Sequence, residues 1–194
     1  MDTKEAGNFI NRAVQASIVL MLAICIFTYP RMSQAATAEE ISRDAASALQ
    51  TLYRTTPAAQ ELATVAKGIL VFPSVIKGGL IVGGQYGEGA LRVGGKTVGY
   101  YNTVAASWGL QVGAQSFGYA LFFLDDENLR YLEKSDGWEI GVGPSVVVVD
   151  KGVARSLTTS TAKSGIYAFI FEQKGLMAGV GIQGSKITKI TPEK

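Results

Sequence analysis

The stretch from Lys67 to Gly95 constrains the fold more than any other part of the chain. It reads Lys67-Gly-Ile-Leu-Val-Phe-Pro-Ser-Val-Ile-Lys-Gly-Gly-Leu-Ile-Val-Gly-Gly-Gln-Tyr-Gly-Glu-Gly-Ala-Leu-Arg-Val-Gly-Gly95. Apolar, β-branched runs from Ile69 to Phe72 and from Leu80 to Val82 are broken by closely spaced glycines. β-branched and aromatic side chains fit a pleated, half-buried surface. Glycine inside such runs marks a bulge, a tight bend or the close approach of another backbone or a ligand. Such a segment folds as curved, tightly packed antiparallel sheet. It holds no catalytic signature, so the residues alone argue for a binding or structural domain.

Two segments precede it. Residues 1–12 are charged, Ala13 to Tyr29 is an apolar run, Pro30 breaks that run, and small residues follow at Ser33-Gln34-Ala35 and Ala36-Thr37-Ala38. This is the layout of a secretory signal peptide, residues 1–35, cut after Ala35 or alternatively after Ala38. The competing reading is an uncleaved inner-membrane anchor, since the run is about long enough to span when tilted. Cys25 is the only cysteine. Ile24 stands before it where an acylation site wants a small residue, which argues against a lipoprotein. The expectation is export to the periplasm or envelope, with residues 36–194 as one domain.

That domain opens with helix. Thr37 and Glu40 have capping-box spacing, and Ile41, Ala45, Ala48, Leu49, Leu52 and Tyr53 recur at helical intervals. Thr55-Thr56-Pro57 ends this helix and starts another, expected to run to Lys67 with Gly68 as its stop. From Ile69 the pattern is β. Ile69–Phe72 reads as a short strand closed by Pro73, followed by Leu80–Tyr86 and Ala90–Val93. Gly94-Gly95 is a two-residue hairpin signal leading into Thr97–Asn102. Ser107–Gln115 alternates as one strand, with Trp108, Leu110, Val112 and Ala114 on one face. Tyr119–Leu124 is an apolar, central strand. Asp125-Asp126-Glu127-Asn128 begins a short helix with acids at its positive end. Trp138–Gly143 and Ser145–Val149 read as strands, 153–165 as β-permissive, and Ile166–Glu172 with Leu176–Gln183 as a hairpin. Lys186–Ile190 adds a last strand. The order implies an α+β domain: N-terminal helices packed on a strongly curved, Gly-rich antiparallel β-sheet, barrel-like or a closed sandwich. A transmembrane barrel competes, but the runs are short and irregular for lipid-facing strands.

Chemistry is constrained mainly by what is missing. The chain has no histidine, which removes the commonest general base and metal ligand. Beyond the export segment, fifteen basic and fourteen acidic residues remain, a balance of +1, which argues against bulk nucleic-acid binding. Asp125, Asp126 and Glu127 are close enough for acid–base work or calcium, but they also read as a solvated helix start. Gly83-Gly84-Gln85-Tyr86-Gly87 lacks the Gly-Lys-Ser/Thr of a phosphate loop. Lys163 and Ser164 are adjacent, so on extended chain they face apart. No cofactor and no metal is expected.

The cations are more informative. Lys67, Lys77, Lys163 and Lys174 each lie beside glycine or small residues at strand ends. If curvature gathers them, they form an anion site next to apolar surface, which suits a phospholipid headgroup. The alternative is ordinary solvated lysines at turns.

Four blocks in order carry a family resemblance: Ala66–Ile69 with Phe72–Gly79, Val82–Gly89, Trp108–Ser116 and Gln173–Val180. On these the chain resembles the SYLF domain family, also described as an actin-binding domain of yeast endocytic proteins, from about Glu39 to Ile190. The resemblance implies a non-enzymatic lipid-binding domain, with phosphoinositides as ligands in eukaryotic relatives. With an export signal, the chain looks like a bacterial envelope form. Anionic phospholipid then takes the place of inositol lipid, and actin, a partner by analogy only, is not expected. The leading expectation is binding of anionic phospholipid through Lys67, Lys77, Lys163 and Lys174, with Ile41, Leu49, Leu52 and Tyr53 either packed on the sheet or inserted at the membrane interface. The rivals are an envelope interaction or structural module and, last, a hydrolase using the acids near 125–127.

Overall fold

The computed structural model describes residues 36–79, 82–108, 113–149, 153–154, 157–163, 165–175 and 181–193. The expected export segment with Cys25, and the expected cleavage point after Ala35, lie outside these residues. Helix α1 (Ala38–Thr55) starts at the expected capping box. Glu40 N donates to Thr37 Oγ1 at 3.3 Å, and Thr37 N donates back to the Glu40 carboxylate at 3.0 Å. Cleavage after Ala38 would remove this cap. Helix α2 (Pro57–Ala63) carries proline in its first turn. It stops at Ala63 rather than Lys67, because Thr64 Oγ1 bonds back to the Glu61 carbonyl at 2.7 Å and Lys67 N already pairs with Phe123 O in the sheet. Gly68 therefore opens a strand instead of ending a helix.

Eight strands follow: β1 (Gly68–Gly79), β2 (Val82–Val93), β3 (Lys96–Trp108), β4 (Gly113–Phe123), β5 (Trp138–Glu139), β6 (Val146–Val149), β7 (Ile166–Gly175) and β8 (Lys186–Ile190). Helix α3 (Asp126–Lys134) lies between β4 and β5, with Asp125 as its cap. The strands form one sheet in the order β5-β8-β3-β2-β1-β4-β7-β6. Every pair is antiparallel except β6 with β7, which is parallel.

Several expected strand limits change. Pro73 does not close a strand; β1 runs through it, and the ladders to β2 and β4 both shift register around it. A bulge lets proline sit mid-strand without leaving a ladder bond unmade. Residues 107–115 are not one strand: Trp108 ends β3, and Gly113 begins β4 on the far side of β1. Leu110 and Val112 lie outside the described residues. β7 continues through Lys174-Gly175 where a turn was expected, and its described neighbours are β4 and β6. Of the expected partner segment Leu176–Gln183, residues 176–180 lie outside the described set. Thr158, Ser160 and Thr161 form a hydroxyl-bonded turn instead of strand.

The two faces of the sheet bury different clusters. The α1 stripe of Ile41, Ala45, Ala48, Leu49 and Leu52 packs on Val71, Ala90, Phe122, Tyr167 and Phe169. A second cluster joins Leu70, Phe72, Val75, Tyr101, Phe117, Tyr119 and Phe123 to α3 and Trp138 on the other face. That second face is concave. Tyr119 on β4 donates to Thr103 Oγ1 on β3 at 2.8 Å, although two strands separate them. Three strand steps of about 4.8 Å each would put the backbones ~14 Å apart on a flat sheet, farther than the two side chains reach. β2 makes room for the curl with glycine. A Cβ on Gly89 would strike the Val71 carbonyl and the Phe72 ring, and one on Gly87 would lie 2.7 Å from Val75 Cγ2.

Candidate functional site

The lysines expected to converge form two groups at opposite ends of the sheet. Lys67 N bonds to Phe123 O, Leu124 N bonds to Gly165 O, and Lys163 N bonds to Tyr167 Oη, so Lys67 and Lys163 share one end. Lys77 pairs with Gln115, which pairs in turn with Gly175, next to Lys174. This is the far end, where β1 runs into the β1–β2 connection. Ten residues of strand separate Lys67 from Lys77, about 30 Å after the bulge. No single headgroup can touch all four ammonium groups.

The far end carries what the near end lacks. On the convex face, beyond the reach of the helices, a row crosses six strands: Lys186 (β8), Val104 (β3), Tyr86 (β2), Ile76 (β1), Ser116 (β4) and Lys174 (β7). Ile76 is 63% exposed, Val82 54%, Tyr86 49% and Val104 46%. These are large apolar side chains left open to solvent beside one another, the mark of a contact surface. The extra residue in β7 between Phe171 and Lys174 turns Lys174 to this face. Glu172, within that bulge, has φ +50°, a left-handed backbone uncommon outside glycine. Acids lie nearby as well. Tyr86 donates to the Glu88 carboxylate at 2.6 Å, and burial, then Glu88, push its hydroxyl up to about 12. Glu139 stands opposite Lys186. The surface is therefore chiefly apolar with a few lysines, and not strongly basic.

On the concave side of the same end, Lys77 lies between Gln85 and Gln115 in one cross-strand row. Both glutamines are buried. Gln85 Nε2 donates to Ser185 Oγ at 3.2 Å.

Sequence reasoning missed Ile76, Val82, Tyr86, Val104, Lys186, Gln85 and Gln115 as a group. Period-two alternation carried past Pro73 would have put Ile76 on the face opposite Lys77, but the row depends on which strands become neighbours. The α1 stripe is spent on the sheet: Ile41, Leu49 and Leu52 are buried and Tyr53 is half-buried. The acids near 125–127 cap a helix, with Asp125 accepting from Asn128 N at 2.8 Å and from Asn128 Nδ2 at 2.7 Å. Ser164 lies outside the described residues. Among the described residues no cluster of His, Cys, Asp or Glu is arranged to hold a metal ion, and no helix is long and apolar enough to cross a membrane. An open cleft of about 850 Å³ on the helix side is lined by Thr55, Pro57, Leu157, Phe171, Glu61 and Glu172. Its two carboxylates make it a poor anion site.

Comparison with known proteins gives one family match. The model described as Ysc84, Las17-binding protein actin regulator, matches residues 104–193, from β3 to the C-terminal end. The blocks at 66–79 and 82–89 lie outside the matched segment. No curated protein matches the chain.

Proposed function

We propose that the chain, which matches the Ysc84 (SYLF) family over residues 104–193, binds anionic phospholipid, without catalysis, at a membrane surface of the cell envelope. The observation that carries this reading is the uncovered row of Ile76, Tyr86 and Val104 with Lys174 and Lys186 at its two ends on the same convex face, and Lys77 at that sheet end on the concave side. Apolar side chains that enter the interface beside ammonium groups near the phosphates suit an anionic bilayer.

Magnitudes rank the two contributions. Ile76, Val82, Tyr86 and Val104, each about half exposed, stand to gain roughly 1 kcal/mol apiece on burial. A lysine at an anionic surface contributes about 1 kcal/mol. The four exposed apolar side chains together thus outweigh two lysines, and Glu88, Glu139 and Glu172 reduce the electrostatic share further. Lys67 and Lys163 lie at the opposite end and contribute little to this contact.

Sedimentation with vesicles of phosphatidylcholine alone, or of phosphatidylcholine doped with phosphatidylglycerol, tests the reading. The apolar run Ala13–Tyr29 is common to both arms, so the difference between them reports the sheet end. Changing both Lys174 and Lys186 to Ala should weaken binding to the anionic vesicles by about 30-fold, two lysines at ~1 kcal/mol each. Ile76→Ser with Tyr86→Ser should weaken binding to both. Equal binding to neutral and anionic vesicles, or binding indifferent to salt, would sink the charge-based mechanism. The family description names a protein partner, which favours an interaction module as the second reading. A stoichiometric envelope protein retained on the chain when lipid is removed would support that instead.

A further inference from the structure

The concave mouth at the far end holds a buried acceptor with nothing bonded to it. Gln115 is 5% exposed and its Oε1 is fully buried, yet it accepts no hydrogen bond. An unmade bond at a buried polar atom costs roughly 1–3 kcal/mol, so such an atom points to a missing donor. The Gln115 side chain stands on the same face as Phe117, next to Lys77 in the adjacent strand. Lys77 is half-buried and forms no ion pair among the described residues. Toward the sheet end the next described positions on this face are Gly79, Gly83 and Gly113, so among the described residues no side chain on this face lies beyond the row. An entering group meets the half-buried Lys77 first, with the buried, unbonded carbonyl of Gln115 on the paired position of the next strand.

We propose that Lys77 and Gln115 form a headgroup pocket for a phosphodiester whose substituent carries a hydrogen-bond donor. Lys77 Nζ takes the phosphate oxygen, and Gln115 Oε1 takes an N–H or O–H from the group beyond it. Ethanolamine and glycerol headgroups both meet this description; choline, with no N–H, does not. Gln85 is held by Ser185 and forms the other wall of the row. The proposal rests on the lipid-binding reading above and goes further, because it assigns headgroup choice to an uncharged side chain.

Charge-matched vesicle pairs test it with the full chain. Phosphatidylethanolamine against phosphatidylcholine, and phosphatidylglycerol against phosphatidylmethanol, differ in donors and not in charge. The expected result is about a five-fold preference for the donor-bearing member of each pair, the worth of one hydrogen bond. Gln115→Met should abolish the preference while the extra affinity for anionic over neutral vesicles remains. Water-soluble glycerophosphoethanolamine should shift the Gln115 side-chain amide resonance of the wild-type chain, which needs no variant and no bilayer. Equal binding within both pairs, together with an unmoved Gln115 resonance, overturns the pocket even if anionic vesicles still bind. A moved resonance with no vesicle binding leaves the pocket standing, assigns it to free phosphodiesters and removes the membrane reading instead.

Discussion

Replacing Tyr119 by Phe removes a hydroxyl that ties β4 to β3 across the hollow of the sheet. Both partners, Tyr119 and Thr103, have no exposed surface, so each loses a bond that water cannot replace. A net hydrogen bond stabilises by about 1 kcal/mol, and a buried group left alone costs about 1–3 kcal/mol. Tyr119→Phe should therefore destabilise by roughly 1–2 kcal/mol, and Thr103→Val by a similar amount. At about 2–4 °C per kcal/mol for a chain of this size, each lowers Tm by ~2–8 °C. The double variant leaves neither group orphaned and should fall well short of the summed loss, with a coupling energy near 1 kcal/mol. Denaturant titration of the four proteins is the assay. A second signature comes from pH. Burial raises the Tyr119 hydroxyl well above the ordinary tyrosine value, and the Thr103 bond only partly offsets this. A raised acid contributes stability that is whole below the unfolded value near 10 and is lost as pH rises through the folded value. Wild type should weaken above about pH 10 more steeply than Tyr119→Phe. Additivity of the two substitutions within ~0.5 kcal/mol, with identical alkaline limbs, would refute the argument that this bond closes the curl.

Gly89→Ala drives a methyl into the Val71 carbonyl and the Phe72 ring; with backbone on one side, the loss should reach ~3 kcal/mol or more, read as a lowered denaturant midpoint. Gly118→Ala meets the edge of the Phe171 ring, which can shift, so about 1–3 kcal/mol is expected. Thr37→Ala breaks the capping box and should cost ~1 kcal/mol. The backbone bond of residue 37, the larger cause of the lowered Glu40 carboxyl, survives in this variant, so only the smaller side-chain share of the loss should be seen above the unfolded carboxylate value and fade as pH falls through the folded one.

Local chemistry was legible in the sequence where one residue type decides the outcome. Thr37 with Glu40, Pro57 in the first turn of α2, the Gly94-Gly95 hairpin and Asp125 all act on backbone close in sequence, and each appears where its type requires, whereas Thr56 before Pro57 makes no side-chain cap bond. The curvature was legible too, since glycines facing a hollow have no other use at Gly87 and Gly89. What could not be read was adjacency. Pro73 reads as a stop because the ladder shift around it involves β2 and β4, which are distant in sequence. Residues 107–115 alternate without a break, but the chain leaves β3 and re-enters the sheet as β4 beyond β1. The lysines failed for the same reason: each sits at a strand end, and an isolated strand does not reveal which ends meet. Once Lys77 and Lys174 are separated from Lys67 and Lys163, the apolar row that sequence reasoning passed over becomes the main feature of its end.

The burial of the α1 stripe against the sheet has a kinetic consequence. A segment that folds only on contact must surrender its freedom at that moment, and part of its attraction is consumed in doing so. On the proposed reading the contacting side chains Ile76, Tyr86 and Val104 stand on hydrogen-bonded strands and are already posed before any encounter. Docking should then resemble a rigid stamp meeting a soft pad, quick to engage and with no coil-to-helix transition in circular dichroism when vesicles are added.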